Sequence, residues 1–449
     1  MPQAQEASGS SAVTEDVSLP PELQPTIASS IPALAEFKKG LFDLGYNLQF
    51  SYFADGLANP TGGVKQGAAY EGLLYMVLDA DLAKIAELDG LSFRINAYQI
   101  HGRQLSAYNI FNLAPVDSIE ARPSTRLFEL WVEQKFGDLA SIRVGQLSAD
   151  NQFFISEFGN SEYINSTFGW PTIFHADLPG GGGPNYPLAT PGVRLKVTPD
   201  NHVTLLAGLY NGDPAGSGFT GTQEIKDPAG INFRLRDPPL LMTEAQYSYN
   251  QDKASQGLAG TIKLGGWYHF GPFPDEQFSV RGKTLALPDS VAETHTGDFG
   301  IYGVIDQMLW HLPDADPKKG VGAFARVSAS PSDRNLISFY AEGGINFMGL
   351  WQERPDDSFG LAASFSQLSP AAAALDHERD LLLHAILPVR DYELVTELTY
   401  QAKIISGWTV QPDLQYIFHP GGGTIDLLNP FTGRIPNAAV FAVRTQISF

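Results

Sequence analysis

From Leu41 to the final Phe449 the chain repeats one pattern about sixteen times: runs of roughly 8–13 residues in which apolar and polar side chains alternate. A two-residue period is the signature of a β-strand with one face in an apolar medium. In "HVTLLAGLY" (202–210), Val203, Leu205, Ala207 and Leu209 share a face. In "GTIKLGGWYHF" (260–270), Ile262, Leu264, Tyr268 and Phe270 oppose Lys263, Trp267 and His269. In "VGAFARVSAS" (321–330), Val321, Ala323, Ala325 and Val327 oppose Phe324, Arg326 and Ser328. Strand after strand is apolar on one face and carries charge and rings on the other. The 45 glycines and 31 prolines supply the turns between them.

Alternation alone fits a soluble β-sandwich as well as a membrane-spanning barrel. Length separates them: sandwich strands average about 5–6 residues, whereas many here reach about 10, enough to cross a bilayer at a tilt. Aromatic residues near strand ends (Tyr52, Phe53, Tyr249, Phe270, Trp310, Trp408 and Phe418) fit girdles at two membrane interfaces. Short links such as "TPDN" (198–201) contrast with long ones such as 150–190, the asymmetry of a membrane barrel's two rims. A mean hydropathy of −0.10, with no run of about 18 apolar residues, suits spanning strands rather than spanning helices. The pattern therefore predicts an all-β, transmembrane antiparallel barrel of about 16 strands.

The chain ends "NAAVFAVRTQISF" (437–449), with Phe441, Val443, Thr445, Ile447 and Phe449 on one parity. A closed barrel has no free edge, so its last strand must pair along its length with the first. A terminal strand ending on Phe449 reads as the assembly signal of a bacterial outer-membrane barrel. Residues 1–40 differ. "MPQAQEASGSSAVTEDVSLPPELQPTIASS" is a flexible composition, and "IPALAEFKKG" has room for a short helix. The expected organisation is a flexible or partly helical segment 1–40 and a single barrel domain 41–449.

Composition narrows the function. The absence of cysteine removes disulfides, thiolate metal sites and thiol nucleophiles. A net charge of −20 argues against nucleic-acid binding. No signal peptide is visible, so an exported protein of this sequence is expected to have had its signal removed.

Several stretches, in order, resemble the carbohydrate-selective porin family of Gram-negative outer membranes: "RLFELWVEQKF" (126–136), "IRVGQLSADNQFF" (142–154), "YINSTFGWP" (163–171), "AGLYNGDP" (207–214), "ELVTELTYQAKIISGWTVQPDLQYIFHPGGG" (393–423) and "AVRTQISF" (442–449). The resemblance implies a sixteen-stranded barrel, a loop folded into the lumen, and passive diffusion of sugars such as glucose. It implies mono- or oligosaccharide cargo, outer-membrane lipid and lipopolysaccharide around the barrel, and the barrel assembly machinery as a partner. It leaves open monomer or trimer, and says little about residues 1–40.

Sugar selectivity in a pore calls for aromatic faces to stack on a pyranose and charged or amide groups to bond its hydroxyls. Parity sends Arg94 and Asn96 inward, opposite Phe93 and Ile95. It sends Glu129, Trp131, Glu133 and Lys135 inward, with Phe128, Leu130 and Val132 facing lipid. Arg143 is inward opposite Ile142 and Val144, and Arg194, Lys263, Arg326 and Arg444 are inward by the same test. The expectation is an arginine-rich wall facing Glu129 and Glu133. Segment 149–191 is too long for a plain turn, and its Phe153, Phe154, Phe158, Phe168 and Trp170 are a poor composition for disorder. It reads as the constriction loop.

Other patterns are weaker. The nine histidines lack a metal-binding spacing, and "PGGGGP" (179–184) lacks the lysine of a phosphate-binding loop. Acidic pairs such as those in "EFGNSEY" belong more often to a solvated rim than to a glycosidase. The sequence thus points to a sugar channel with no cofactor and no metal, placed in the bacterial outer membrane. A porin for small anions is the alternative, because arginines bind phosphate and carboxylate. A soluble β-protein that binds or cleaves polysaccharide is a further one.

Overall fold

A computed structural model describes residues 26–216, 223–251, 255, 257–313, 319–384, 387–429 and 433–449. Its sixteen strands are β1 (Tyr46–Thr61), β2 (Gly67–Asp81), β3 (Leu91–Gly102), β4 (Ser124–Phe136), β5 (Ala140–Leu147), β6 (Thr190–Val197), β7 (Val203–Asn211) and β8 (Pro239–Tyr249). They continue with β9 (Gly260–Ser279), β10 (Ala292–His311), β11 (Gly320–Ala329), β12 (Ile337–Met348), β13 (Ser358–Leu368), β14 (Tyr392–Ile405), β15 (Trp408–Phe418) and β16 (Ala438–Ser448). Each pairs antiparallel with its neighbours in sequence, and β1 pairs with β16, closing the barrel. Closure satisfies every strand edge, which a bilayer demands.

The closing seam explains the chain's last residues. β1 and β16 run in register from Ser51↔Ser448 to Ala58↔Phe441, and the Phe449 amide donates to the Phe50 carbonyl at 2.8 Å. Phe441 and Val443 point outward and are about half exposed, while Val440, Ala442 and Arg444 are buried inward. The same division holds around the barrel: Val144, Leu209, Ile262, Leu264, Ile301, Val327 and Leu361 form an exposed apolar belt. Lys263, Trp267, Phe324, Arg326 and Ser328 are buried on the inner side. An apolar exterior around a closed sheet excludes the soluble sandwich and makes this a membrane barrel. Among the described residues no helix is long and apolar enough to span a membrane.

The two rims differ as the link lengths suggested. One has tight turns such as Ser406–Gly407, where Ile405 pairs with Trp408. Gly407 adopts φ 77°, and a Cβ there would meet the Ile27 nitrogen at 2.4 Å, so glycine is needed. The other rim carries the long segments 103–123 and 148–189.

Three details depart from the sequence reading. The helix expected within 31–40 runs from Pro32 to Asp43, so β1 begins at Tyr46 rather than Leu41; residues 1–25 lie outside the described ones. Phe53, expected in an interfacial girdle, is 2% exposed and packs inward with Leu73 and Tyr98. Phe128, expected to face lipid, also points inward and packs on Tyr98 and Tyr186. The cause is a β-bulge: Ile95 pairs with Leu130 but Ala97 pairs with Leu127, so Asn96 faces both Phe128 and Glu129. One extra residue inverts the parity of the strand beyond it.

Candidate functional site: the inner wall and its infolded segments

Strand register gathers part of the predicted set. Glu133 on β4 lies directly opposite Arg143 on β5, which lies opposite Arg194 on β6. The Glu133 carboxylate takes both guanidinium groups at 2.9 Å. One level away, Asp79, Arg94 and Trp131 align across β2, β3 and β4, and Arg94 Nε donates to Asp79 at 2.6 Å. The Trp131 ring lies between Arg94, 5.6 Å from its centroid, and Arg143, 3.9 Å away. Asn96 serves the bulge: its Oδ1 accepts the Glu129 amide at 2.7 Å, and its Nδ2 donates to Glu129 Oε2 at 3.1 Å. Glu129 is hydrogen-bonded to Asn96 and to the Ser148 amide. Every one of these side chains is almost fully buried.

Arg326 and Arg444 lie elsewhere. Arg326, on β11, is ion-paired with Glu342 and donates to the carbonyls of Phe154, Thr167, Phe168 and Gly169. It lies beneath segment 148–189 rather than on an open pore surface. Arg444 pairs with Asp55 at 2.8 Å and with Asp117 of segment 103–123 at 2.5 Å.

Segment 148–189 is bonded to the inward side chains of strands spread around the barrel. Glu244 of β8 accepts the Phe154 amide at 2.8 Å. Asp306 of β10 accepts from Ser156 Oγ at 2.6 Å. Glu397 of β14 accepts the amides of Ile164 and Asn165, at 2.5 and 3.0 Å. Gln411 and Gln415 of β15 bond Glu162 and Asn165. The segment thus meets the inward parity of strands spread around the barrel. Phe153, Phe154, Trp170 and Phe174 pack into one apolar cluster with Tyr210, Trp267, Tyr302 and Tyr340 of the wall. Phe158 and Phe168 pack with Tyr163 and Phe324 in another. The loop's rings thus glue it to the wall.

A second infolded segment was not singled out in the sequence. Residues 103–123 hang from Glu393, which accepts the Leu113 and Ala114 amides at 2.8 Å each, from Glu71, which accepts the Leu105 amide, and from Arg444. Two backbone bonds join the segments, Ser118 to Ile164 and Ser166 to Pro115. The signals were present: a 21-residue gap between β3 and β4, and Glu393 and Glu397 sharing the inward parity of "YELVTELTY". Burial governs the titration of the loop carboxyls, pushing Asp150 up to about 6 and Glu162 up to about 8, while it pushes His175 down to about 4.

A closed sixteen-stranded barrel with charged infolded segments is a channel architecture, and the family model for "Carbohydrate-selective porin, OprB family" matches residues 65–449. The chain belongs to this family. It is 23% identical over 435 residues to Porin B of Pseudomonas aeruginosa, covering 91% of this chain and 88% of that protein. Its fold is similar to the high-pH structure of Pseudomonas putida OprB, with a TM-score of 0.79, 22% identity, and coverage of 92% of this chain and 97% of the other. The outer membrane channel DcaP of Acinetobacter baumannii is a more distant likeness, with a TM-score of 0.51, 12% identity, and coverage of 90% and 98%. As a carbohydrate-selective porin with an apolar belt, the chain is an outer-membrane channel for the diffusion of sugars.

Proposed function

We propose that sugars pass a constriction bounded by segments 148–189 and 103–123 and by the β2–β6 wall. The observation that carries this reading is the attachment of segment 148–189 to β4, β8, β10, β11, β14 and β15, which draws it across the lumen. In this reading Arg94, Asn96, Glu129, Trp131, Glu133, Arg143 and Arg194 shape the wall, Trp170 belongs to the infolded edge, and Arg326 and Arg444 hold the two segments in place. Each of these arginines is ion-paired with a carboxylate, Arg143 and Arg194 sharing Glu133, and this pairing favours a neutral cargo over small anions. Phe449, 41% exposed at the end of the outward parity of β16, suits recognition by the barrel assembly machinery, and the apolar belt suits contact with lipid and lipopolysaccharide.

The experiment is single-channel recording in planar bilayers with wild type and Arg143→Ala. Glucose should reduce the wild-type salt current in a saturable way. Removing the Arg143 guanidinium opens the wall beside Trp131, so salt conductance should rise and sugar block become shallower. A lost charge-assisted bond of about 1.5 kcal/mol corresponds to roughly tenfold in affinity. Glu133 retains Arg194, so the folded yield should change little. An Arg143→Ala channel with wild-type conductance and block would remove this wall from the sugar path.

A further inference from the structure

The barrel wall is uneven in height. β5 and β6 have 8 residues each, whereas β4 between β3 and β5 has 13. β5 rises along β4 to the pair Gln146↔Leu130, and residues 124–129 of β4 stand above it. On the far side, β6 rises along β7 to the pair Gly192↔Tyr210. The two short strands leave a notch between β4 and β7, at the place where segment 148–189 departs from β5 and returns to β6.

The link from β7 to β8 crosses this notch. At one end the Leu127 amide donates to the Ala229 carbonyl at 2.9 Å, and Arg126 Nη2 and Gln146 Nε2 donate to the Asp227 and Gly230 carbonyls at 2.8 Å each. Gly230 adopts φ 68°, and a Cβ there would meet the Leu127 carbonyl oxygen at 1.9 Å, so only glycine lets the link lie this close to β4. At the other end the Asp237 amide donates to Asn211 Oδ1 at 3.0 Å, and Asn211 Nδ2 donates to Asp237 at 3.1 Å. Asn211 is the last residue of β7. From β4 to β7 is three strand spacings, about 14 Å, which residues 229–237 span with slack, since each extended residue covers about 3.3 Å.

The crossing stretch is apolar at alternate positions. Ile231, Phe233 and Leu235 are 59%, 42% and 80% exposed. Between them, Asn232 Nδ2 donates to the Lys226 carbonyl, Arg234 pairs with Asp237 at 2.6 Å, and Arg236 is exposed. Phe233 holds φ 43°, a left-handed backbone that a bulky residue adopts only under strain, and the position nevertheless carries a ring. Large apolar side chains exposed together mark a surface that something other than water covers. Both anchor points adjoin the apolar belt: Leu209, just before Asn211 on the outward parity of β7, is 49% exposed, and Val132, below Leu127 on β4, is 42% exposed. Continuity with the belt, and arginines interleaved at its edge, identify the occupant as lipid. Hydrocarbon takes the apolar side chains and headgroup phosphates take the guanidinium of Arg236.

We propose that residues 229–237 are a strap that completes the membrane-facing wall above β5 and β6, with Ile231, Phe233 and Leu235 seated in the acyl chains of the surrounding lipid. The strap does for the notch what a strand does elsewhere, and a link between strands thereby becomes a lipid-binding surface. This stands independently of where sugars pass.

The absence of cysteine makes the test clean, because each introduced thiol is the only one in the full-length chain. Ile231→Cys, Phe233→Cys and Leu235→Cys are labelled separately with a nitroxide and folded into phosphatidylcholine vesicles, with heat-modifiable electrophoretic mobility as the check on folding. Power-saturation spectroscopy then compares collisions with oxygen, which concentrates in hydrocarbon, and with a nickel chelate, which stays in water. Val144→Cys on the belt and Lys283→Cys, exposed beyond the 20-residue strands β9 and β10, calibrate the two extremes. The strap labels should favour oxygen severalfold, as the Val144 label does. Adding Gly230→Ala to Leu235→Cys should lift the strap from β4 and move that label towards the nickel-rich extreme; if the double variant fails to fold, the three single labels still decide. Strap labels that meet the nickel chelate as Lys283 does would place the strap in water and overturn the proposal. Labels shielded from both reagents would overturn it too, since a second copy or another part of the chain would then be the cover.

Discussion

The inner wall at β4–β6 and the inner wall at β8–β14 are built from the same residue types and do different work. At β4–β6 the charges answer one another across strands: Glu133 takes Arg143 and Arg194 at one level of the register. At β8–β14 the charges take backbone: Glu244, Asp306 and Glu397 accept amides or a hydroxyl of segment 148–189, and Arg326 donates to four of its carbonyls. The first wall is braced by its own cross-strand ion pairs, whereas the second is a socket for the loop. Inward parity thus identifies which charged residues avoid lipid, but not whether they meet the pore, a neighbour or a plug.

Arg326→Ala should show the largest effect. It strands the buried Glu342 carboxylate and leaves carbonyls of Phe154, Thr167, Phe168 and Gly169 without a donor. Removing one partner of a buried pair costs about 3–5 kcal/mol. The expected outcome is a lower denaturation midpoint and a higher, noisier salt conductance as the segment detaches from β11. Arg143→Ala, in the other wall, should be much milder. Equal losses of stability from the two substitutions would erase the distinction between socket and wall.

The barrel itself was legible because strand alternation is a local property repeated many times, and a single slip, such as the bulge at Phe128, leaves the rest intact. The clustering of Arg94, Trp131, Glu133 and Arg143 was foreseeable in outline, since they occupy successive strands. What Arg326 and Arg444 touch was not, because their partners lie 157–172 and 327 residues away in segments whose path no periodicity records.

On the outside the two regions should be equivalent. Val144 on β5 and Val327 on β11 are 45% and 49% exposed on the apolar belt. Arginine on a lipid face costs about 2–4 kcal/mol near the bilayer midplane. Val144→Arg and Val327→Arg should therefore reduce folding yield into lipid vesicles to a similar degree, whatever lies behind each strand. A harmless Val144→Arg combined with an unfoldable Arg143→Ala would mean that β5 faces the opposite way.

The smallest expected effect is a pH dependence confined to the plugged side. Burial pushes the Glu162 carboxyl up to about 8, against a hydrogen bond from Ser358 that pulls it down, and pushes Asp150 up to about 6. A carboxyl whose folded pKa exceeds its unfolded value near 4 favours the packed form while protonated. That contribution is complete below the unfolded value and is lost as pH rises, through about 6 for Asp150 and about 8 for Glu162. Hydrogen exchange at residues 157–163 should be slowest near pH 4, after correction for intrinsic rates, and fastest above about 8. Glu162→Gln, which stays neutral throughout, should flatten most of that profile. The amides of β5 belong to the sheet ladder and should stay protected across the same range. If β5 loosened in step with residues 157–163, the two walls would be one cooperative unit, and the contrast between a standing wall and a titratable plug would be lost.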